Sequence, residues 1–296
     1  MTKTDLAERI SWGIFILDGA MGTQLIERGV PAGICSDELN LNSPNIVSQI
    51  HKAYFDAGSN AVITNTFGAN RFALQRHGLS EKVQQINTAG AEIARKAAGP
   101  DRYVLGDIGP TGDFLEPVGT LKAEDMKAAF AQQAGALSAG GVDGFIVETM
   151  TDLNEAVAAV QAIRSVSDLP IFVSFSFDAV GDDFKTMMGL DVKSAVEKIS
   201  SLPVQAAGFN CGTATMAQYV ELTKRFVAAV PPNIALLAEP NAGKPQLVNS
   251  RTVYRLSAGD FADSARQIHA LGVKIIGGCC GTGPAHIQAV AKMLKQ

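Results

Sequence analysis

The sequence predicts a (β/α)8 TIM barrel, forming one α/β domain over residues 1–296, and three observations carry that expectation. Eight short runs rich in Ile, Val, Leu and Phe recur along the chain. Longer segments of helical periodicity separate them. Almost every apolar run ends in glycine and polar residues, as barrel strands do where their carboxyl ends share one rim. A chain of this length is ordinary for such a barrel and can bury a large core. A doubly wound open sheet is the alternative. No G-x-G-x-x-G follows the first run, so its dinucleotide-binding version loses support.

The strand-like runs are IFILDGA from Ile14, NAVITNTF from Asn60, YVLGDIGP from Tyr103 and DGFIVETM from Asp143. PIFVSFSF from Pro170, AAGFNCG from Ala206, NIALLAEPNAG from Asn233 and KIIGGCCGT from Lys274 continue the series. Each is nearly continuous in apolar residues, as parallel strands covered on both faces require. Between them, Ser43-Pro44 reads as an N-cap with proline at the first helical position. Asp152 and Glu155 read as a capping box opening LNEAVAAVQAIRSV. Gly283-Pro284 opens the last helix.

Composition excludes several function classes. Apolar residues make up 47% and charged residues 18%, which is globular rather than disordered. A net charge of -4 gives no electrostatic reason to expect nucleic acid or an acidic membrane surface. Asp5, Glu8, Arg9 and Asp18 interrupt the N-terminal segment, so it does not read as a signal peptide. No stretch approaches the roughly 18 apolar residues of a membrane span. The expectation is a cytoplasmic protein. Four cysteines are few for a disulfide framework, and two of them, Cys279 and Cys280, are adjacent.

The polar strand ends are Asp18-Gly19, Asn65-Thr66, Asp107, Glu148-Thr149, Asn210-Cys211, Glu239-Pro240-Asn241 and Cys279-Cys280. In a barrel these converge on the rim that carries active sites. Cys211 ends the sixth strand, and Cys279 and Cys280 end the eighth. Three thiolates can supply three corners of a tetrahedron around zinc and leave the fourth for an exchangeable ligand. Gly277, Gly278 and Gly281 free the backbone so that two successive side chains can face one metal. Small buried cysteines with no metal are the competing reading. Cys35 reads as incidental. His51, His77, His269 and His286 fall in or at the ends of predicted helices, where surface or packing roles are expected.

Taken together, LDGAMGT (17–23), TNTFGAN (64–70), GDIGPTG (106–112), VETMTD (147–152), GFNCG (208–212), EPNAGKP (239–245) and GGCCGT (277–282) resemble the homocysteine S-methyltransferase family. The resemblance runs from Ile14 to about Ile287 and is nearest to the homocysteine-binding barrel of cobalamin-dependent methionine synthases. It implies that Cys211, Cys279 and Cys280 ligate Zn2+ and that the sulfur of L-homocysteine takes the fourth position. It implies that Asp18 and Glu148 hold the ammonium group, with backbone around Gly19 at the carboxylate and Asn210 in support. Asp107 and Glu239 are left between rim scaffolding and function.

For the methyl donor the resemblance implies methylcobalamin. No histidine has an aspartate two positions before it, so the Asp-x-His-x-x-Gly of cobalamin domains does not occur in these residues. A separate corrinoid protein is therefore the expected partner. Betaine enzymes of the family surround their quaternary ammonium with aromatics. Here Trp12 precedes the first strand, VPAGICSDELN has no aromatic, and Thr149 stands where those enzymes carry tyrosine. S-methylmethionine enzymes tend to carry a tryptophan in that first loop and fit less well. Outside this chemistry, a zinc barrel that methylates another thiol and a non-catalytic amino-acid-binding module remain open.

Overall fold

The computed structural model describes residues 3–248 and 251–295. One strand lies in each apolar run: β1 Phe15–Ile16, β2 Ala61–Ile63, β3 Tyr103–Ile108, β4 Gly144–Met150, β5 Ile171–Phe175, β6 Ala206–Asn210, β7 Ala235–Glu239 and β8 Ile275–Ile276. They form one sheet in the order β1-β8-β7-β6-β5-β4-β3-β2, every pair parallel. Long helices follow the strands, from Pro44–Ala57 after β1 to Pro284–Leu294 after β8. The TIM barrel expected from the sequence is the architecture found.

Strand alternation explains the two layers of core. Phe15, Leu17, Leu105, Ile146, Phe172, Leu237 and Ile275 fill the barrel interior. Their neighbours Ile16, Val104, Val147, Val173 and Ile276 point outward against the helices. Both sets are buried, which is why the runs read as continuous rather than alternating.

No ladder joins β1 to β2. The N–H of Asn60 donates to the Ile16 carbonyl at 2.7 Å, and the Asn60 Oδ1 accepts the Ile16 N–H at 2.9 Å. Ser59 Oγ donates to the Leu17 carbonyl at 3.1 Å, and Asp18 Oδ2 accepts the Ile63 N–H at 3.0 Å. Side chains thus satisfy backbone groups that strand pairing leaves open here.

Some local expectations are corrected. Asp152 caps its helix by accepting the N–H groups of Asn154 and Glu155, but Glu155 does not complete a box. Its carboxylate accepts the N–H and Oγ of Thr111 instead, both at 2.7 Å. Ser43 occupies the N-cap position before Pro44 without a side-chain bond. Two short antiparallel strand pairs lie outside the eight apolar runs or at their margins, Asp178–Val180 with Asp183–Lys185 and Gln246–Val248 with Arg251–Val253. Their three-residue strands are too short to show a pattern. Among the described residues, no helix is long and apolar enough to cross a membrane. His51 packs fully buried in Pro44–Ala57 with neither ring nitrogen partnered, and burial lowers its pKa to about 4.

Candidate metal and substrate site

The carboxyl ends of the strands surround a cavity of about 410 Å³. Its lining includes Asp18, Gly19, Glu148, Cys211, Cys279 and Cys280. Asn210 lies just beneath, 1% exposed. All seven expected site residues therefore gather at one rim.

The sulfurs of Cys211, Cys279 and Cys280 lie within 4.8 Å of one another. Cys280 Sγ is 4.0 Å from Cys211 Sγ and 3.9 Å from Cys279 Sγ. Two sulfurs about 2.3 Å from a tetrahedral zinc stand roughly 3.8 Å apart, so the donor set fits that ion in both type and spacing. Considered as thiols alone, the three share charge. Hydrogen bonds from Cys211 and Cys279 hold Cys280 as a thiolate, its pKa lowered to about 3. Cys279 is pushed well up by its hydrogen bonds with Cys211 and Cys280. Cys35 lies apart from the group, beside Asp37.

Backbone shape brings these sulfurs together. Cys211 adopts φ 55°, a left-handed conformation uncommon outside glycine. Tyr219, fully buried, donates its hydroxyl hydrogen bond to the Cys211 carbonyl, and Asn241 Nδ2 donates to the Gly212 carbonyl at 2.7 Å. The glycines around the cysteine pair serve two different needs. Gly281 supplies the turn at φ 79°, and a Cβ there would overlap Tyr254. Gly277 and Gly278 are there for close approach: a Cβ on Gly277 would meet Leu17 at 2.8 Å, and one on Gly278 would meet Thr282 at 2.6 Å.

The first loop is tied to the cysteine loop. Thr282 Oγ1 donates to the Cys279 carbonyl at 2.6 Å and accepts the Ala20 N–H at 3.1 Å. Tyr54 hydroxyl donates to the Ala20 carbonyl at 3.0 Å. A Cβ on Gly19 would strike both, at 2.7 Å from Thr282 and 3.0 Å from Tyr54. Immediately after, the helix Met21–Glu27 begins with no side-chain cap, and Met21, Gly22 and Thr23 of its first turn line the cavity.

Four carboxyl groups also line the cavity, with Asp18, Asp107 and Glu239 buried and Glu148 half-buried. Burial pushes Glu148 up to about 7, and the charge of Cys280 adds to this. Burial also pushes Asp18, Asp107 and Glu239 well up, each reinforced by the charge on Glu148. Asp18 Oδ1, Asp107 Oδ1 and Glu239 Oε2 have no hydrogen-bond partner. Asp107 and Glu239, left open on sequence grounds, are both among the lining residues, and each has one buried oxygen without a partner. Their position at strand ends was the available signal, and it did not separate them from scaffolding.

A thiol cluster with metal-ligand spacing thus lies beside a group of carboxyl side chains at one rim of the barrel. The chain belongs to the homocysteine S-methyltransferase family, whose sequence profile matches residues 15–294. It is 34% identical to methionine synthase of Mycobacterium tuberculosis over 310 residues and 33% identical to that of Mycobacterium leprae. Each alignment covers 97% of this chain and 25% of the relative, so the chain spans a quarter of the length of these proteins. Its fold is similar to that of the metallated homocysteine methyltransferase MmuM from Escherichia coli. The TM-score is 0.79 at 24% identity, covering 97% of this chain and 98% of that one.

Proposed function

We propose that residues 1–296 form a homocysteine-binding barrel domain that methylates L-homocysteine to methionine, with Zn2+ held by Cys211, Cys279 and Cys280. The observation that carries this reading is the meeting of three sulfurs at metal-ligand spacing with buried, unpartnered carboxylates in one cavity. When bound, the metal would supply a Lewis acid that accepts a sulfur electron pair and lowers the thiol pKa, so that the proton leaves to solvent near neutral pH, where the free thiol is mostly protonated.

The chain's own residues then do the rest. The thiolates of Cys211, Cys279 and Cys280 put negative charge around the reacting sulfur and keep it electron-rich. Asp18 and Glu148 take the ammonium group, with Asp107 and Glu239 beside them in the same lining. Backbone from Gly19 into the uncapped helix start receives the carboxylate. The bound amino acid is thereby fixed at both ends of its charge and presents its sulfur to the cavity mouth. The immediate donor is methylcobalamin on a separate corrinoid protein. The resemblance to cobalamin-dependent methionine synthases supports this choice, and the loop VPAGICSDELN without an aromatic and Thr149 in place of tyrosine speak against betaine.

The test is a titration of zinc-loaded protein with L-homocysteine. One zinc per chain and about one proton released per homocysteine bound are expected. Methyl transfer from a methylated corrinoid protein is the expected turnover. Transfer from betaine or S-methylmethionine alone overturns the donor. Binding of other small thiols in preference to homocysteine overturns the acceptor, and binding without turnover from any donor leaves a non-catalytic amino-acid-binding module.

A further inference from the structure

Among the described residues, two other than glycine adopt a left-handed backbone: Thr149 at φ 59° and Cys211 at φ 55°. Threonine is branched at Cβ, which makes this conformation a marked outlier for it. Each of the two directly follows a site residue, Thr149 after Glu148 and Cys211 after Asn210. Thr149 is the penultimate residue of β4 and Cys211 directly follows β6, and these strands do not pair with each other, since β5 lies between them.

One side chain spans the gap. Asn210 Oδ1 accepts the Thr149 N–H at 2.9 Å and the Ser174 Oγ, from β5, at 2.9 Å. Asn210 Nδ2 donates to Thr149 Oγ1 at 2.7 Å and also stands 3.3 Å from Glu148 Oε2 and 3.9 Å from Cys279 Sγ. Thr149 is therefore gripped twice by one buried amide, through its N–H and through its hydroxyl. The same amide touches the carboxylate side and the thiol side of the cavity.

The direction of constraint follows from what surrounds Thr149. Downstream, the helix Leu153–Arg164 is fixed by its buried face and by the Asp152 cap. A Thr149 that relaxed to ordinary φ would have to be accommodated upstream, at Glu148. We propose that Asn210 is a positioning residue: it holds Thr149 left-handed and so keeps the Glu148 carboxylate in register with the cysteine sulfurs. Substrate ammonium and substrate sulfur then meet partners set at a fixed separation. This rests on the reading of the cavity as a homocysteine site.

The test is a double-mutant cycle on metal-loaded protein, reading L-homocysteine affinity by calorimetry and the sulfur-to-metal charge-transfer band of the cobalt-substituted form. Asn210→Ala is expected to weaken homocysteine about thirtyfold in the wild-type background and about threefold or less in the Thr149→Gly background, because glycine adopts φ near 60° unaided. Propanethiol, which has no ammonium group, is expected to lose less than about threefold with Asn210→Ala. The cobalt band is expected to shift with Asn210→Ala, since Cys279 loses a donor. Equal losses in both backgrounds, or equal losses for homocysteine and propanethiol, overturn the proposal. If Asn210→Ala does not fold, the cycle runs with Ser174→Ala, which frees the same amide; a smaller loss confined to the Thr149 background is expected, and no difference between backgrounds overturns it. Wild-type protein that loads metal but does not bind homocysteine would instead refute the reading of the cavity, and the cobalt band would still report on Asn210.

Discussion

Asp18 Oδ2 accepts the Ile63 N–H at 3.0 Å, across the one junction of the barrel that no strand ladder closes, while Asp18 Oδ1 is buried without a partner in a residue that lines the cavity. One oxygen supports the fold and the other has no partner within it. The two roles separate by substitution. Asp18→Asn keeps an acceptor for Ile63 and removes the charge. Homocysteine affinity is expected to fall by about 10- to 100-fold, as for the loss of a charged hydrogen bond, with no loss of thermal stability. Asp18→Ala also leaves the Ile63 N–H unpaired, at about 1–3 kcal/mol, and should lower Tm by several degrees. Calorimetry and thermal melts on both variants check this.

The cysteine site depends on backbone geometry as much as on sulfur. Cys280→Ala is expected to reduce bound zinc from one per chain to near none. Gly281→Ala, with all three sulfurs intact, is expected to do nearly the same, because φ 79° disfavours a side chain and Tyr254 fills the space. Chelation of the metal from wild-type protein should leave the far-ultraviolet circular dichroism unchanged, since the ligands stand at strand ends and not in either core layer. Metal analysis and circular dichroism decide the matter.

The barrel was legible because parallel strands buried on both faces read as apolar runs, and because seven of the motifs fall at their ends. Cys211, Cys279, Cys280, Asp18 and Glu148 could be named for the same reason. What could not be read depends on three-dimensional bonding with no local pattern. Asn60 stitches β1 to β2 through its side chain, Glu155 leaves its own helix for Thr111, and Asn210 reaches from β6 to Thr149. Asp107 and Glu239 stood at the correct rim, yet their burial and unpartnered oxygens are visible only in three dimensions. Positive φ at Thr149 and Cys211 has no signature in residue type at all.

Glu148 makes stability and function compete. Its folded pKa, raised to about 7 by burial and the Cys280 charge, lies above the unfolded value near 4.5. The folded state therefore binds more protons between these values, and stability falls as pH rises through that window, by on the order of 3 kcal/mol. Asp18, Asp107 and Glu239 shift in the same direction. Glu148→Gln is expected to raise the stability of metal-free protein at pH 8, to change it little at pH 4.5, and to weaken homocysteine at both. Urea unfolding at the two pH values, with calorimetry alongside, tests it. A variant no more stable than wild type at pH 8 refutes the argument.

His51 sets the opposite slope. It is fully buried on the helix Pro44–Ala57, neither ring nitrogen has a partner, and burial lowers its pKa to about 4. The unfolded chain takes up this proton near pH 6.5, the folded protein only near 4. Between them the unfolded state binds more protons, so stability is full above 6.5 and is lost as pH falls through the window, by on the order of 3 kcal/mol. Wild-type protein should show a muted net pH dependence here, because protonation of Glu148 works the other way over much of the same range. His51→Phe removes the imidazole and keeps an apolar ring of similar breadth. Its stability relative to wild type is expected to improve steadily from pH 7 to pH 4.5, even if the exchange costs packing energy at neutral pH. The quantity to measure is the difference in unfolding free energy between the two proteins at half-unit steps, and a difference that stays flat with pH would mean that His51 is protonated equally in both states.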